Sequence, residues 1–334
     1  MNIAVSPKIT GGKNCMDNKV LILGATGTMG AYLTEKMVAQ GCYVDAVSLD
    51  DVTSDNPKLN YIQTKNAMDP KFVDEITKNH YDAVVDFMIY NSVSFRETFP
   101  KYLKNCGQYV YLSSCRVYAN EESPIRESSP RLSDVTTDAQ LLFSDDYCMH
   151  KARGEDALRN SSYKNWTIVR PSTTYASVHS QLLTLDWQHW LPRARSGEPV
   201  LLYEAAKDIP ASLTWGGDVA EMINRLVFND QAICEDYNVT SSECRTWEEI
   251  AGYYKEIYGL NYEWVDELTY QRFRDPSFDP EKSFAPIWQL RYARMFNRVY
   301  DNSKMLKATG LRQEDFKTLY QGLLYEKENI LKHK

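Results

Sequence analysis

The 334-residue chain has no Cys-x-x-Cys pair, no dense run of lysine or arginine, and no apolar stretch near the roughly 20 residues that span a bilayer. Each absence removes a class of function. The seven cysteines are odd in number and scattered, so neither a disulfide framework nor a zinc site is suggested, and a reducing cytoplasm fits best. No cluster of histidine, cysteine and carboxylate appears, which disfavours a metal-dependent enzyme. With 38 basic against 45 acidic residues the net charge is −7, so nothing draws the chain globally to nucleic acid or anionic membrane. Residues 1–17 lack the continuous apolar segment of a signal peptide and read as a loose extension. The G-x-G-x-x-G spacing of many dinucleotide-binding turns is missing too.

What is there is an alternation of short apolar runs with helical stretches. Hydrophobic residues make up 43% of the chain, enough for a large core near the size at which one core splits into two. Strands are predicted at 19–23 (KVLIL), 43–49, 83–89, 109–113 and 166–170, and helices at 29–40, 70–79, 92–105 and 145–160. Such β-α repetition implies an α/β fold, a Rossmann-like doubly wound parallel sheet. After Pro171 the texture changes to irregular stretches rich in Trp, Tyr and Pro, with isolated helices at 219–228, 246–258 and 313–330. Thr246-Trp247-Glu248-Glu249 reads as a capping box. The expected division is residues 18–175 as a dinucleotide-binding domain, joined by a later strand and helix near 210–240. Residues 176–334 then form mainly a smaller, substrate-binding lobe.

Two motifs carry chemistry. Gly24-Ala25-Thr26-Gly27-Thr28-Met29-Gly30 joins the first strand to the first helix, where glycines let the backbone approach a pyrophosphate and the helix N-terminus attracts its charge. In Tyr147-Cys148-Met149-His150-Lys151, the lysine follows the tyrosine by four residues and shares its helix face. A tyrosine has an ordinary pKa of about 10, and a neighbouring cation is expected to lower it towards the range of a working acid or base.

With the strand end Ser113-Ser114-Cys115-Arg116-Val117-Tyr118, the Val169-Arg170-Pro171-Ser172-Thr173-Thr174-Tyr175 segment, Gly217-Asp218-Val219-Ala220 and Asp301-Asn302-Ser303-Lys304, these motifs resemble, in order, the extended short-chain dehydrogenase/reductase family. Its members include nucleotide-sugar epimerases, dehydratases and reductases. The resemblance implies Ser114 as the hydroxyl that bonds the reacting oxygen, Tyr147 as the general acid/base, and Lys151 as its partner and a ligand of the nicotinamide ribose. It implies NAD held by Gly24, Thr26, Gly27, Thr28, Met29, Gly30, Ser48, Asp50, Asn66, Ala67, Phe87, Pro171 and Ser172. Cys115, Arg116, Thr173, Arg193 and Arg291 are the candidate substrate residues.

Departures narrow the reading. Ser48 stands where the family usually has a ribose-binding acid, with Asp50 and Asp51 following, and no Arg or Lys lies near in sequence to favour a 2′-phosphate. NAD is therefore preferred over NADP. Asn66 stands in for an aspartate. Cys115 and Arg116 replace the Asp-Glu pair of 4,6-dehydratases, which makes that activity unlikely. Ala211 replaces a phosphate-gripping arginine, leaving Arg193, Arg195, Lys207, Arg291, Arg294 and Arg298 for a diphosphate. His179, His189, Trp187 and Trp190 suit either a sugar pocket or ordinary burial, and the aromatic stretch 284–300 reads as lobe packing. The expected protein is an NAD-dependent nucleotide-sugar epimerase or ketoreductase/dehydrogenase, cytoplasmic, and a homodimer through helices 92–105 and 145–160. The alternative is a non-catalytic relative that keeps the fold as a binding or regulatory module.

Overall fold

The structure, a computed structural model, describes residues 16–283 and 285–333. The expected loose extension therefore falls almost wholly outside the described residues. Seven parallel strands form one sheet: β1 (Lys19–Leu23), β2 (Tyr43–Ser48), β3 (Leu59–Gln63), β4 (Tyr81–Asp86), β5 (Cys106–Leu112), β6 (Trp166–Pro171) and β7 (Glu235–Val239). Their order is β7-β6-β5-β4-β1-β2-β3. Parallel strands covered on both faces must be apolar throughout, and β1 obeys, with Val20 to Leu23 fully buried. The order reverses between β1 and β4, whose carboxyl ends diverge into the crevice where such sheets bind ligands.

Helices α1 (Gly30–Ala39), α2 (Pro70–Ile76), α3 (Ser92–Asn105) and α4 (Tyr147–Arg159) connect the strands. Asp69 caps α2 and Pro70 opens it, where a missing N–H costs nothing. Asn91 caps α3 through two backbone N–H groups, and Asp146 caps α4. Helix α5 (Gly216–Leu226) packs against α1, and β7 pairs with β6. Strand β3 has a half-exposed, polar pattern that its sequence does not announce.

A second hydrophobic cluster gathers Tyr175, Trp190, Trp247, Tyr254 and Leu323. Helix α6 (Trp247–Tyr258) carries the expected capping box, with Thr246 and Glu249 each accepting from the other's backbone N–H. The helix expected over 313–330 begins later, as α7 (Leu319–Leu331), because a 3-10 turn occupies Gln313–Asp315 and Thr318 supplies a second capping box. Cys42 is disulfide-bonded, contrary to the expectation from cysteine count and spacing. No helix among the described residues is long and apolar enough to cross a membrane, and no group of metal-ligating side chains occurs among them.

Candidate active site

The turn after β1 is built for close approach. Gly24 has φ +82°, a left-handed backbone that favours glycine, and Phe87 Cβ lies 3.2 Å from where a Gly24 side chain would start. A Cβ on Gly30 would sit 2.1 Å from the Gly24 carbonyl oxygen, so only glycine lets the turn fold back on the helix start. Met29 caps α1 without a side-chain hydrogen bond to the first turn. Above this turn opens a cavity of about 540 Å³, lined by Gly24, Thr26, Gly27, Thr28, Met29 and Gly30. Ser48, Asp50, Ala67 and Phe87 complete its far wall. The Thr26 and Ser48 hydroxyls hydrogen-bond at 2.7 Å, and the Asp50 N–H donates to Ser48 Oγ at 2.9 Å, fixing the end of β2.

Two expectations fail here. Asn66 is exposed and does not line this cavity; its N–H donates to Thr64 Oγ1, a turn that brings Thr64, Lys65 and Ala67 to the wall instead. Lys65 is thus a cation at the cavity, where sequence proximity suggested none.

A second cleft of about 360 Å³ adjoins the first and is lined by Ser114, Cys115, Arg116, Pro171, Ser172 and Thr173, among others. Pro171 and Ser172, expected to touch the dinucleotide, line this cleft at the carboxyl end of β6 and not the first cavity. Thr28, Met29, Ile89, Leu112 and Tyr147 belong to the walls of both spaces. Tyr147 therefore stands at the junction.

Lys151, one helical turn further on, is fully buried and donates to the carbonyls of Leu112 at 2.6 Å and Met88 at 3.2 Å. Burial lowers its ammonium to about 8, against the pull of Asp86 and Glu155. Its Nζ is 5.7 Å from the Tyr147 ring centre. The lowered tyrosine pKa expected from this pair is not found. Burial raises the Tyr147 phenol, and the counter-pull comes first from the Arg116 guanidinium and then from a hydrogen bond with Ser114. Arg116 lies over the ring at 5.2 Å and is held by Asp146 at 3.2 Å.

Beneath the site runs a buried network absent from the sequence reading. Arg170 grips Glu155 through two bonds of 2.7 and 2.8 Å, and Ser113 Oγ donates to the same carboxylate at 2.6 Å. Arg170 holds the Glu155 carboxyl down, to about 2, despite its burial. This ties β5, β6 and α4 together directly below Ser114 and Tyr147.

The arginines sort differently from expectation. Arg291 is half exposed and paired with Glu267 at 3.2 Å, while Arg193 donates to the Pro199 carbonyl and lies over Phe273. Neither lines the cleft. Arg195 bonds the Leu331 carbonyl and Lys207 pairs with Glu248, also away from it. The cleft takes Arg294 and Arg298. Arg294 ends a π-helical turn over Leu290–Arg294, in which the Met295 N–H bonds the Leu290 carbonyl, and Arg298 follows it. Gln289, Ala293 and Tyr300 join the wall, while Leu290, Met295, Trp288, Tyr292 and Phe296 pack in hydrophobic clusters, so the stretch read as lobe packing does pack and also lines the cleft; Phe284 lies outside the described residues. His179 lines the cleft with Nδ1 2.7 Å from Asp186, whereas Trp190 is fully buried and Trp187 stacks on His333.

A family model described as the NAD dependent epimerase/dehydratase family matches residues 20–240. A search of curated protein sequences finds no significant match. Among solved structures, the chain is similar to the Bordetella bronchiseptica enzyme WbmH in complex with NAD+, at 16% identity over 95% of this chain and 99% of that one, with a TM-score of 0.69. It is similar to UDP-glucose 4-epimerase from Bifidobacterium longum in complex with NAD+ and UDP, at 15% identity, 93% and 97% coverage and a TM-score of 0.67. A dTDP-glucose 4,6-dehydratase from Bacillus anthracis in complex with NAD gives 14% identity, 93% and 96% coverage and a TM-score of 0.66.

Proposed function

The chain belongs to the NAD-dependent epimerase/dehydratase family, and on that footing we propose that it is a nucleotide-sugar epimerase or ketoreductase/dehydrogenase working through Ser114, Tyr147 and Lys151. The observation that carries this reading is the position of Tyr147 on the walls of both the glycine-turn cavity and the adjoining cleft. A group that must pass a proton to a sugar hydroxyl while a hydride crosses to a dinucleotide has to touch both spaces.

NAD fits the first cavity: the glycine turn leaves no room for a Cβ at Gly30, and the wall runs from Ser48 and Asp50 at one end to Tyr147 at the other. When bound, its nicotinamide supplies a site that accepts and returns a hydride. Tyr147 takes the proton from the substrate hydroxyl as the C–H bond gives up its hydride, and returns it in the reverse step. Ser114 hydrogen-bonds the same oxygen. Lys151, tied to the Leu112 and Met88 carbonyls, holds a cation 5.7 Å from the Tyr147 ring centre on its buried side. The Arg116 charge favours the Tyr147 phenolate. An epimerase returns the hydride to the opposite face of the sugar; a ketoreductase exchanges it with external NADH.

The 4,6-elimination of dehydratases finds no support in the cleft, where Cys115 and Arg116 stand and no Asp or Glu is among the lining residues. Tyr147→Phe should lower turnover of a nucleotide sugar about a hundred- to ten-thousand-fold while NAD affinity, read by calorimetry, stays within a factor of a few. Wild-type rates in that variant would sink the reading.

A further inference from the structure

Three arginines, one histidine and no carboxylate line the second cleft among the described residues. Arg294 and Arg298 are 7% and 6% exposed. Arg294 donates to the Leu183 carbonyl, Thr173 Oγ1 and Gln181 Oε1, at 2.8, 2.7 and 2.6 Å. Arg298 donates to the Tyr118 and Tyr292 carbonyls at 3.2 and 3.1 Å. All of these acceptors are neutral. They fix the two guanidinium groups in place without cancelling their charge.

The same protein shows how it treats a buried arginine that needs no ligand. Arg170, 1% exposed, is neutralised by Glu155 through two hydrogen bonds and by Asp236 at 2.8 Å. Burying a cation without a counter-charge is costly, and here two such cations lie on the wall of an open cleft beside a third, Arg116. Burial first, and then the charge of Arg116, lowers the Arg294 guanidinium to about 10. A guanidinium with unused N–H donors in a fixed fork is matched by an oxyanion.

We propose that Arg294 and Arg298 form the seat of a carboxylate carried by the substrate's reacting sugar, so that this chain acts on acidic sugars, hexuronates or their relatives. The proposal rests on Tyr147 working on a sugar hydroxyl, and it says which sugar. The reacting end is indicated by geometry: Arg116 packs on the Tyr147 ring at 5.2 Å, Arg294 donates to Thr173 Oγ1 at 2.7 Å, and all three arginines line one cleft with Ser114 and Tyr147. A diphosphate on C1 leaves its sugar at the end remote from a hydroxyl reacting at C4. An anion held among Arg294, Arg298 and Arg116 sits on the ring itself.

The test measures binding to the NAD-loaded protein of two matched pairs that differ only in a carboxylate: D-glucuronate against D-glucose, by ligand-observed NMR, and UDP-glucuronate against UDP-glucose, by calorimetry. UDP alone is the third probe. The free sugars make the outcome independent of which nucleotide the enzyme prefers. Wild type should favour the acid of at least one pair about tenfold or more, the range expected for hydrogen bonds to a charged group. Arg294→Gln should bring that ratio to within about threefold, with UDP affinity kept. Should Arg294→Gln fail to fold, Arg298→Gln is read the same way; circular dichroism and NAD affinity are the fold controls. No preference for either acid in wild type, or a preference that survives both substitutions, overturns the proposal. So does a loss of UDP affinity in Arg294→Gln as large as that of UDP-glucuronate, which would assign the seat to the diphosphate. Wild-type protein that binds NAD without preferring acids refutes this inference alone, whereas failure to bind NAD refutes the function beneath it.

Discussion

Tyr147 is held by opposing influences: burial raises its phenol, and Arg116 and Ser114 lower it. Replacing Arg116 with Gln should therefore move the rising, acid-side limb of a pH–rate profile for hydroxyl oxidation to higher pH, whereas a merely structural Arg116 would leave it in place. Asp218 offers a stability test away from the chemistry. Burial raises its carboxyl from 3.8 to about 6, opposed by the Lys317 backbone N–H that it accepts at 2.9 Å. The folded state thus prefers the protonated form, and this contribution is complete below pH 3.8 and lost as pH rises through 6. Asp218→Asn should raise the thermal midpoint by about 1–3 °C at pH 7.5 and leave it unchanged at pH 4, as read by scanning calorimetry. Equal shifts at both pH values would show that ionisation is not the cause. The Tyr147–Lys151 pair was legible because four residues is one helical turn. The part of Arg116 was not, since only the fold brings the end of β5 over the start of α4. Arg294 and Arg298 stood among six basic candidates that the sequence could not rank, because only the fold shows which of them reach the cleft.

Elements with apolar interiors were readable, and those whose polarity serves an edge were not. KVLIL reads as a buried strand at sight, while Leu59–Gln63 is an edge strand whose Asn60 and Gln63 face outwards, and Glu235–Val239 begins with two acids. The glycine turn is legible for a stereochemical reason, and that reason can be tested. Gly30→Ala should abolish dinucleotide binding in calorimetry, because its Cβ would drive the helix start from the Gly24 carbonyl; unchanged affinity would mean that the turn relaxes freely. Thr246 belongs to a different part of the molecule. Thr246→Ala should cost about 1 kcal/mol in urea unfolding through loss of the capping box at α6, with NAD affinity untouched.

At the scale of the whole molecule, the parallel sheet and the packing about Trp190 and Trp247 meet along the cleft that Tyr147 borders. The two-lobed division we propose follows the change of texture after Pro171, with the chain crossing back where β7 pairs with β6 and α5 packs on α1. Val93 on α3 is 68% exposed and Phe143, at the end of the short helix Ala139–Phe143 that precedes α4, is 87% exposed; we propose that chains pair over this face. Light scattering should give a dimer, and the double variant Val93→Asp, Phe143→Asp a monomer; a wild-type monomer would remove that proposal. The proposed chemistry depends on a dinucleotide lying between the glycine turn and Tyr147. Native mass spectrometry of the purified protein, alone and with added NAD(H), addresses this directly: one dinucleotide per chain, retained or taken up by wild type and absent from Gly30→Ala, is expected. A wild-type chain that neither retains nor takes up NAD(H) or NADP(H) would contradict it.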